Sequence, residues 1–172
     1  MSTPLYPLNP LEAICNILQA EMALDTDQVY FYQSKIQPIT DERLYIAVGL
    51  GAMRPFSSIS KNVAVPGGFT EELTVNMWAE ITIDILSKTE VAMDVKESVI
   101  MALGSNYAKQ VQEAQGMLIA RISSSFNNLS ELEGSTIPYR FQITVPVQYK
   151  KTKTKPIPYY DTFPANEVKT NA

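Results

Sequence analysis

The sequence predicts an α+β fold: a mixed, largely antiparallel sheet with long strands packed against two main helices, plus extended arms. Three observations lead there. "TVNMWAEITIDIL" places Val75, Met77, Ala79, Ile81, Ile83 and Ile85 on one side and Thr74, Asn76, Trp78, Glu80, Thr82 and Asp84 on the other, the period-2 pattern of a long strand with one oily face. "YRFQITVPVQYK" repeats that alternation without a fault over 139–150. Two segments carry apolar residues at helical spacing, and long strands of mixed order with helices on one face describe an α+β sandwich. The expected organisation is an N-terminal arm (1–8), a single domain (9–150) and a C-terminal arm (151–172).

"NPLE" opens the first helix. Asn9 can cap it, Pro10 suits the first helical position and Glu12 completes a capping box. Leu11, Ile14, Cys15, Leu18 and Met22 then form one buried stripe, and the acidic "DTD" at 25–27 ends it. "QVYFYQSK" (28–35) has strand composition. "RLYIAVGLG" (43–51) alternates Leu44, Ile46, Val48 and Leu50 against Tyr45, Ala47, Gly49 and Gly51, a mostly small face that lets another backbone approach closely.

Residues 52–71 are punctuated by Pro, Ser-Ser and Gly-Gly, which reads as a long loop, with Val63 and Val65 hinting at a β-arm. "PGG" (66–68) is a turn, since no phosphate-binding glycine pattern surrounds it. The long strand is expected from Leu73. "SKTE" (87–90) reads as a second capping box, opening a helix to about Gln115. Its buried stripe is Ala92, Val95, Val99, Ala102, Leu103 and Val111, and "GSN" at 104–106 is placed to kink or split it. "MLIARISSSF" (117–126) is a further strand, followed by the loop "NNLSELEGS". Pro146 in the last strand calls for an edge position or a bulge, because proline donates no ladder hydrogen bond.

The chain of 172 residues has a net charge of −4, no histidine and one cysteine. Without histidine there is no Ser-His-Asp or Cys-His nucleophile, no His-ligated zinc and no side chain tuned for proton transfer near neutral pH. One cysteine forbids an intrachain disulfide, and Cys15 among apolar helical positions reads as an inert core thiol. The N-terminal stretch has no basic region followed by an apolar run, so neither a signal peptide nor a membrane span is expected.

The candidate chemistry is thin. Glu80 and Asp84 share a strand face roughly 13 Å apart, too far for a two-carboxylate clamp. Trp78 on that face is open to three readings: core under a helix, interface anchor, or stacking platform. Lys150, Lys151, Lys153 and Lys155 either contact phosphate or an acidic surface, or simply blunt an exposed strand end. Pro156, Pro158, Tyr159, Tyr160 and Phe163 form an aromatic-proline patch suited to docking on a neighbour, or else lie in a disordered tail.

The strand "ELTVNMWAEITIDIL", the helix "TEVAMDVKESVIMAL" and the final "YRFQITVPVQY" together resemble the tail terminator, or tail completion, proteins of long-tailed bacteriophages. The resembling stretch runs from the first helix to about Lys150. The resemblance implies a structural neck protein of the virion, made in the host cytoplasm. It also implies a hexameric ring joining the tail tube to the head connector, with DNA passing through unbound. No enzymatic activity, cofactor, metal or membrane is expected on this reading. Trp78, Glu80, Asp84, Arg140, Phe56, Ile59, Val63, Tyr159, Tyr160 and Phe163 are the candidate subunit-interface residues. The alternatives are another neck component, such as a head-closure adaptor, and a non-viral ligand- or metal-binding module with weak hydrolase activity around Glu80 and Asp84.

Overall fold

The computed structural model describes residues 9–32, 41–66, 68–122, 125–130 and 139–157. Its elements are α1 (Pro10–Glu21), β1 (Val29–Phe31), β2 (Tyr45–Val65), β3 (Gly68–Ser87), α2 (Val91–Leu103), α3 (Asn106–Gln115), β4 (Met117–Ile119), β5 (Asn127–Asn128) and β6 (Tyr139–Ile157). The strands form one six-stranded sheet in the order β1-β2-β3-β6-β4, with β5 also paired to β6. Only β1 and β2 run parallel; every other pairing is antiparallel. The expected α+β class, a mixed and largely antiparallel sheet packed against helices, is what the chain adopts.

α1 begins as its sequence dictates. Asn9 accepts a hydrogen bond from the Leu11 backbone, and the Glu12 carboxylate accepts one from the Asn9 backbone, so two otherwise orphaned donors are satisfied. The helix buries Ala13, Ile14, Cys15, Ile17 and Leu18. They meet Ile81, Ile83 and Ile85 of β3 and Ile143, Val145 and Val147 of β6 in one core. Burying each such aliphatic side chain is worth about 2 kcal/mol. This core lies under the helices, at one end of the long strands.

Four expectations are corrected. Ser87 and Glu90 form no capping box: α2 starts only at Val91 with Glu90 as its cap residue, and no side chain caps it. The Ser87 hydroxyl is used elsewhere, accepting from the Thr89 backbone and donating to the Glu42 carbonyl. The helix expected to reach Gln115 is two helices, broken at Gly104, with Ser105 capping α3 by accepting from the Ala108 backbone. Of the strand expected over 117–126, Met117–Ile119 alone is in the sheet among the described residues. Residues 52–65 and 68–71, expected as a long loop, are strand throughout, so the β-arm reading extends to the whole segment.

Pro146 sits inside the sheet rather than on an outer strand, yet the reasoning about its missing donor holds. Its carbonyl accepts from the Ala120 backbone, just past the end of β4. A strand residue's N–H and C=O point to the same side, so the absent N–H falls where β4 leaves the sheet.

Candidate docking interface

The helices cover only the first part of the long strands. Beyond Val48 on β2, Ala79 on β3 and Val147 on β6, the three strands continue together to a tip at 65–68. From Trp78 to Gly68 this three-stranded arm projects for about 34 Å. β3 is its central strand, pairing with β2 as far as Val65↔Gly68 and with β6 as far as Phe69↔Ile157.

Local chemistry explains why a stretch rich in serine, proline and glycine stays extended. Two irregularities in the β2 register, between Leu50 and Met53 and between Pro55 and Ser57, absorb extra residues against β3. Bulges of this kind add twist and bend, and they let Pro55 sit at the ladder's edge. Cross-strand side chains then fasten the arm. Asn76 donates to the Ser57 hydroxyl, Ser60 donates to the Glu71 carboxylate, Thr74 bonds Thr152, and Lys61 pairs with Glu72 at 3.1 Å. Such exposed pairs contribute a few tenths of a kcal/mol each.

Among the described residues the arm is a single layer, with no helix on either face. By register, Leu73 and Val75 lie on the side that carries helices further down, while Ile59, Val63 and Val65 lie on the opposite side. Phe56 and Ile59 are 57% and 58% exposed, and Val63, Val65, Phe69 and Leu73 are exposed as well. Sheets need a second layer to bury an apolar face, so these exposed apolar residues make the arm a candidate interaction site.

The charge of the arm opposes that of the chain. Residues 52–78 and 149–157 hold six basic side chains (Arg54, Lys61, Lys150, Lys151, Lys153, Lys155) and two acidic ones (Glu71, Glu72). The whole chain has 14 basic and 18 acidic residues, leaving eight basic against sixteen acidic outside the arm. The lysines read as either a solvated strand end or an acidic-surface contact are exposed at the end of β6, in its ladder, with Lys155 opposite Glu71 and Lys153 opposite Leu73.

The helix-free face of the sheet body carries the other candidates. Trp78 is half-buried at the root of the arm, between Arg54 and Gln148 in register. Glu80 is exposed. Asp84 is buried at 3% exposure and Arg140 at 9%. Asp84 accepts hydrogen bonds from Arg140 at 3.3 and 3.4 Å and from Gln142 at 2.9 Å. Burial and neighbouring charge raise the Tyr30 hydroxyl, which faces Asp84, above its usual pKa, with desolvation the main cause. Glu80 and Asp84 are therefore not a carboxylate pair: one is in solvent, and the other is committed to a guanidinium and an amide. Among the described residues no group of three His, Cys, Asp or Glu is placed to hold a metal, and no helix is long and apolar enough to cross a membrane.

Of the candidate interface residues, Phe56, Ile59 and Val63 fall together on the arm, Trp78 at its root, and Glu80, Asp84 and Arg140 on the helix-free face. Tyr159, Tyr160 and Phe163 lie outside the described residues. Sequence reasoning missed Leu73 and the basic ladder as parts of one arm with Val63 and Val65. The alternation of Val63 and Val65 was the available signal.

This outline, a helix-backed sheet with a long bare extension, has a counterpart among solved structures. A cryo-EM structure of the PVC sheath/tube terminator of an extracellular contractile injection system, in the extended state, matches with a TM-score of 0.53 at 16% identity, over 92% of this chain. The two proteins share a fold. The chain spans 64% of the length of that terminator. No protein-family model matches the sequence, and no curated protein does.

Proposed function

We propose that this chain is a structural subunit that ends the tube of a tail or tail-like machine, assembling there as a closed ring, with no enzymatic role. The observation that carries this reading is the fold shared with a sheath/tube terminator over 92% of the chain. The bare arm supports it, because ring closure requires two different, complementary patches on each subunit. A hexamer in a phage neck, with the tube on one side, a head connector on the other and DNA passing through, is the specific form of the proposal. Phe56, Ile59, Val63 and Trp78 are its interface residues, with Glu80 at the rim. Asp84 and Arg140 serve it by fixing the shape of the helix-free face rather than by reaching a partner. Negative-stain images of purified protein mixed with tail tubes test the reading. Rings, and densities capping tube ends, are expected. A chain that stays monomeric at every concentration and leaves tube ends bare overturns it.

A further inference from the structure

We propose that the basic β-arm of one copy seats on an acidic corner at the opposite end of a second copy, joining subunits head to tail. This names the two surfaces of the ring proposed above, and it rests on that reading only for closure; the docking itself is argued from charge, exposure and distance. The acidic corner is built by the end of α1, the turn before β1 and the residues that lead into β2. It gathers Asp25, Asp27 and Asp41 around the Arg43 guanidinium, with Glu42 between Asp41 and Arg43 in sequence and Glu21 at the end of α1. Arg43 is already shared among three carboxylates, at 2.8 Å from Asp41, 2.9 Å from Asp27 and 4.0 Å from Asp25. Its hydrogen bond is the leading reason that the Asp41 carboxyl is held below its ordinary pKa. Phe31 and Tyr32, 40% and 45% exposed, lie further along, beside Val48 and Gly49 of β2. The corner is thus acidic and the arm basic: Lys151, Lys153 and Lys155 share one face of β6, next to exposed Leu73 on β3.

Geometry makes the contact intermolecular. β2 begins at Tyr45, whose hydroxyl donates to Asp41 in the acidic corner, and ends at Val65 on the arm tip. By register Lys151 stands level with Ser58 and Lys155 level with Asn62, so, less the bulges, about 35–50 Å of continuous strand separates the two surfaces. An arm held by ladders on both sides of β3 cannot fold back onto its own corner. The surfaces are different from one another, so the contact is heterologous and propagates, closing into a ring or continuing as a filament. Nucleic acid is the weaker occupant for the arm, because exposed Leu73 stands opposite Lys153 and Glu71 opposite Lys155 on the neighbouring strand, with Glu72 between them.

Zero-length carbodiimide cross-linking of a mixture of isotopically light and heavy wild-type protein tests this without any variant. Light–heavy cross-links from Lys151, Lys153 or Lys155 to Asp25, Asp27 or Glu42 are expected. Cross-links confined to other pairs overturn the docking. In the second arm of the test, Lys151→Glu/Lys153→Glu/Lys155→Glu should reduce the assembled mass to that of a single chain. Mixing it with Asp25→Lys/Asp27→Lys should restore mixed assemblies. Unchanged assembly of the arm variant overturns the proposal while leaving the ring reading standing. Intact self-assembly with lost tube capture also overturns it, and assigns the arm to the tube instead. A wild-type chain that never associates sinks both.

Discussion

Asp84 and Arg140 meet across two neighbouring strands, Nε to Oδ1 at 3.4 Å and Nη2 to Oδ2 at 3.3 Å, with both side chains nearly removed from solvent. Their positions on β3 and β6 are diagonal: Asp84 stands opposite Gln142, and Arg140 opposite Leu86. The pair is on the face without helices, where a lone charge would have no cover from the main core.

Removing one member of such a pair costs more than removing both. Arg140→Ala strands a buried carboxylate that keeps only the Gln142 amide among the contacts described, and should destabilise the fold by about 3 kcal/mol. Asp84→Leu with Arg140→Met exchanges the pair for apolar volume and should cost less than either single truncation. Urea unfolding of the four proteins of the cycle measures this. A double variant as unstable as the sum of two singles would show that the two charges do not depend on one another.

Gly49 marks a second close approach. A Cβ there would stand 2.8 Å from the Thr82 hydroxyl oxygen and 3.2 Å from the Tyr32 Cβ. Gly49→Ala should therefore destabilise by roughly 1–3 kcal/mol, lowering the Tm by roughly 3–10 °C for a chain of this size. Gly49→Ala combined with Thr82→Ala removes the nearer obstacle and should recover part of the loss. Thermal melts of both variants decide it; equal losses in the single and double variants would count against the Thr82 contact as the cause.

That small-residue face was legible in the sequence, as were α1 with its capping box and the strand faces of β3 and β6, because each follows from a local period or cap. The arm was not, for a physical reason. Residues 52–65 show no alternating burial pattern, and their serines and Pro55, with "PGG" following at 66–68, are the usual marks of a loop. They stay extended only because β3 templates them and β6 braces β3 from the other side, a non-local cause. The same holds for the charge asymmetry: a net value of −4 conceals a basic arm until strand pairing gathers lysines from 150–155 beside residues 54–72. Asp84 and Arg140 are 56 residues apart, and no spacing rule joins them.

Cys15 should behave as a core thiol. Burial, reinforced by the nearby Glu12 charge, pushes its pKa from 9.0 up to about 12. A raised folded pKa favours the neutral form, so this contribution to stability is complete below about pH 9 and is lost as pH rises through about 12. At pH 8 a thiol-specific reagent should react with the native protein at least about 100-fold more slowly than with the urea-unfolded chain, since the thiolate is the nucleophile. Native and denatured rates of similar size would mean that the thiol is open to solvent.

Shortening β6 should separate folding from assembly. Its buried residues run from Arg140 to Val147, and residues 150–157 are outside the core. A stop after Lys155 removes only Pro156 and Ile157 from the described ladder, opposite Thr70 and Phe69, together with the segment holding Tyr159, Tyr160 and Phe163. Circular dichroism and Tm should change little, while ring formation and tube capping weaken if that segment docks on a neighbour. A stop after Tyr149 also takes the lysines and leaves the arm as a two-stranded ribbon of β2 and β3. Isolated ribbons of two strands are marginal in water, so the tip should fray and become a protease target while the helix-backed body still melts cooperatively. Limited proteolysis with mass spectrometry checks this, cleavage within 54–76 being expected only in the shorter protein. Loss of the cooperative melt in either truncation would place the distal part of β6 in the core and contradict the division between body and arm.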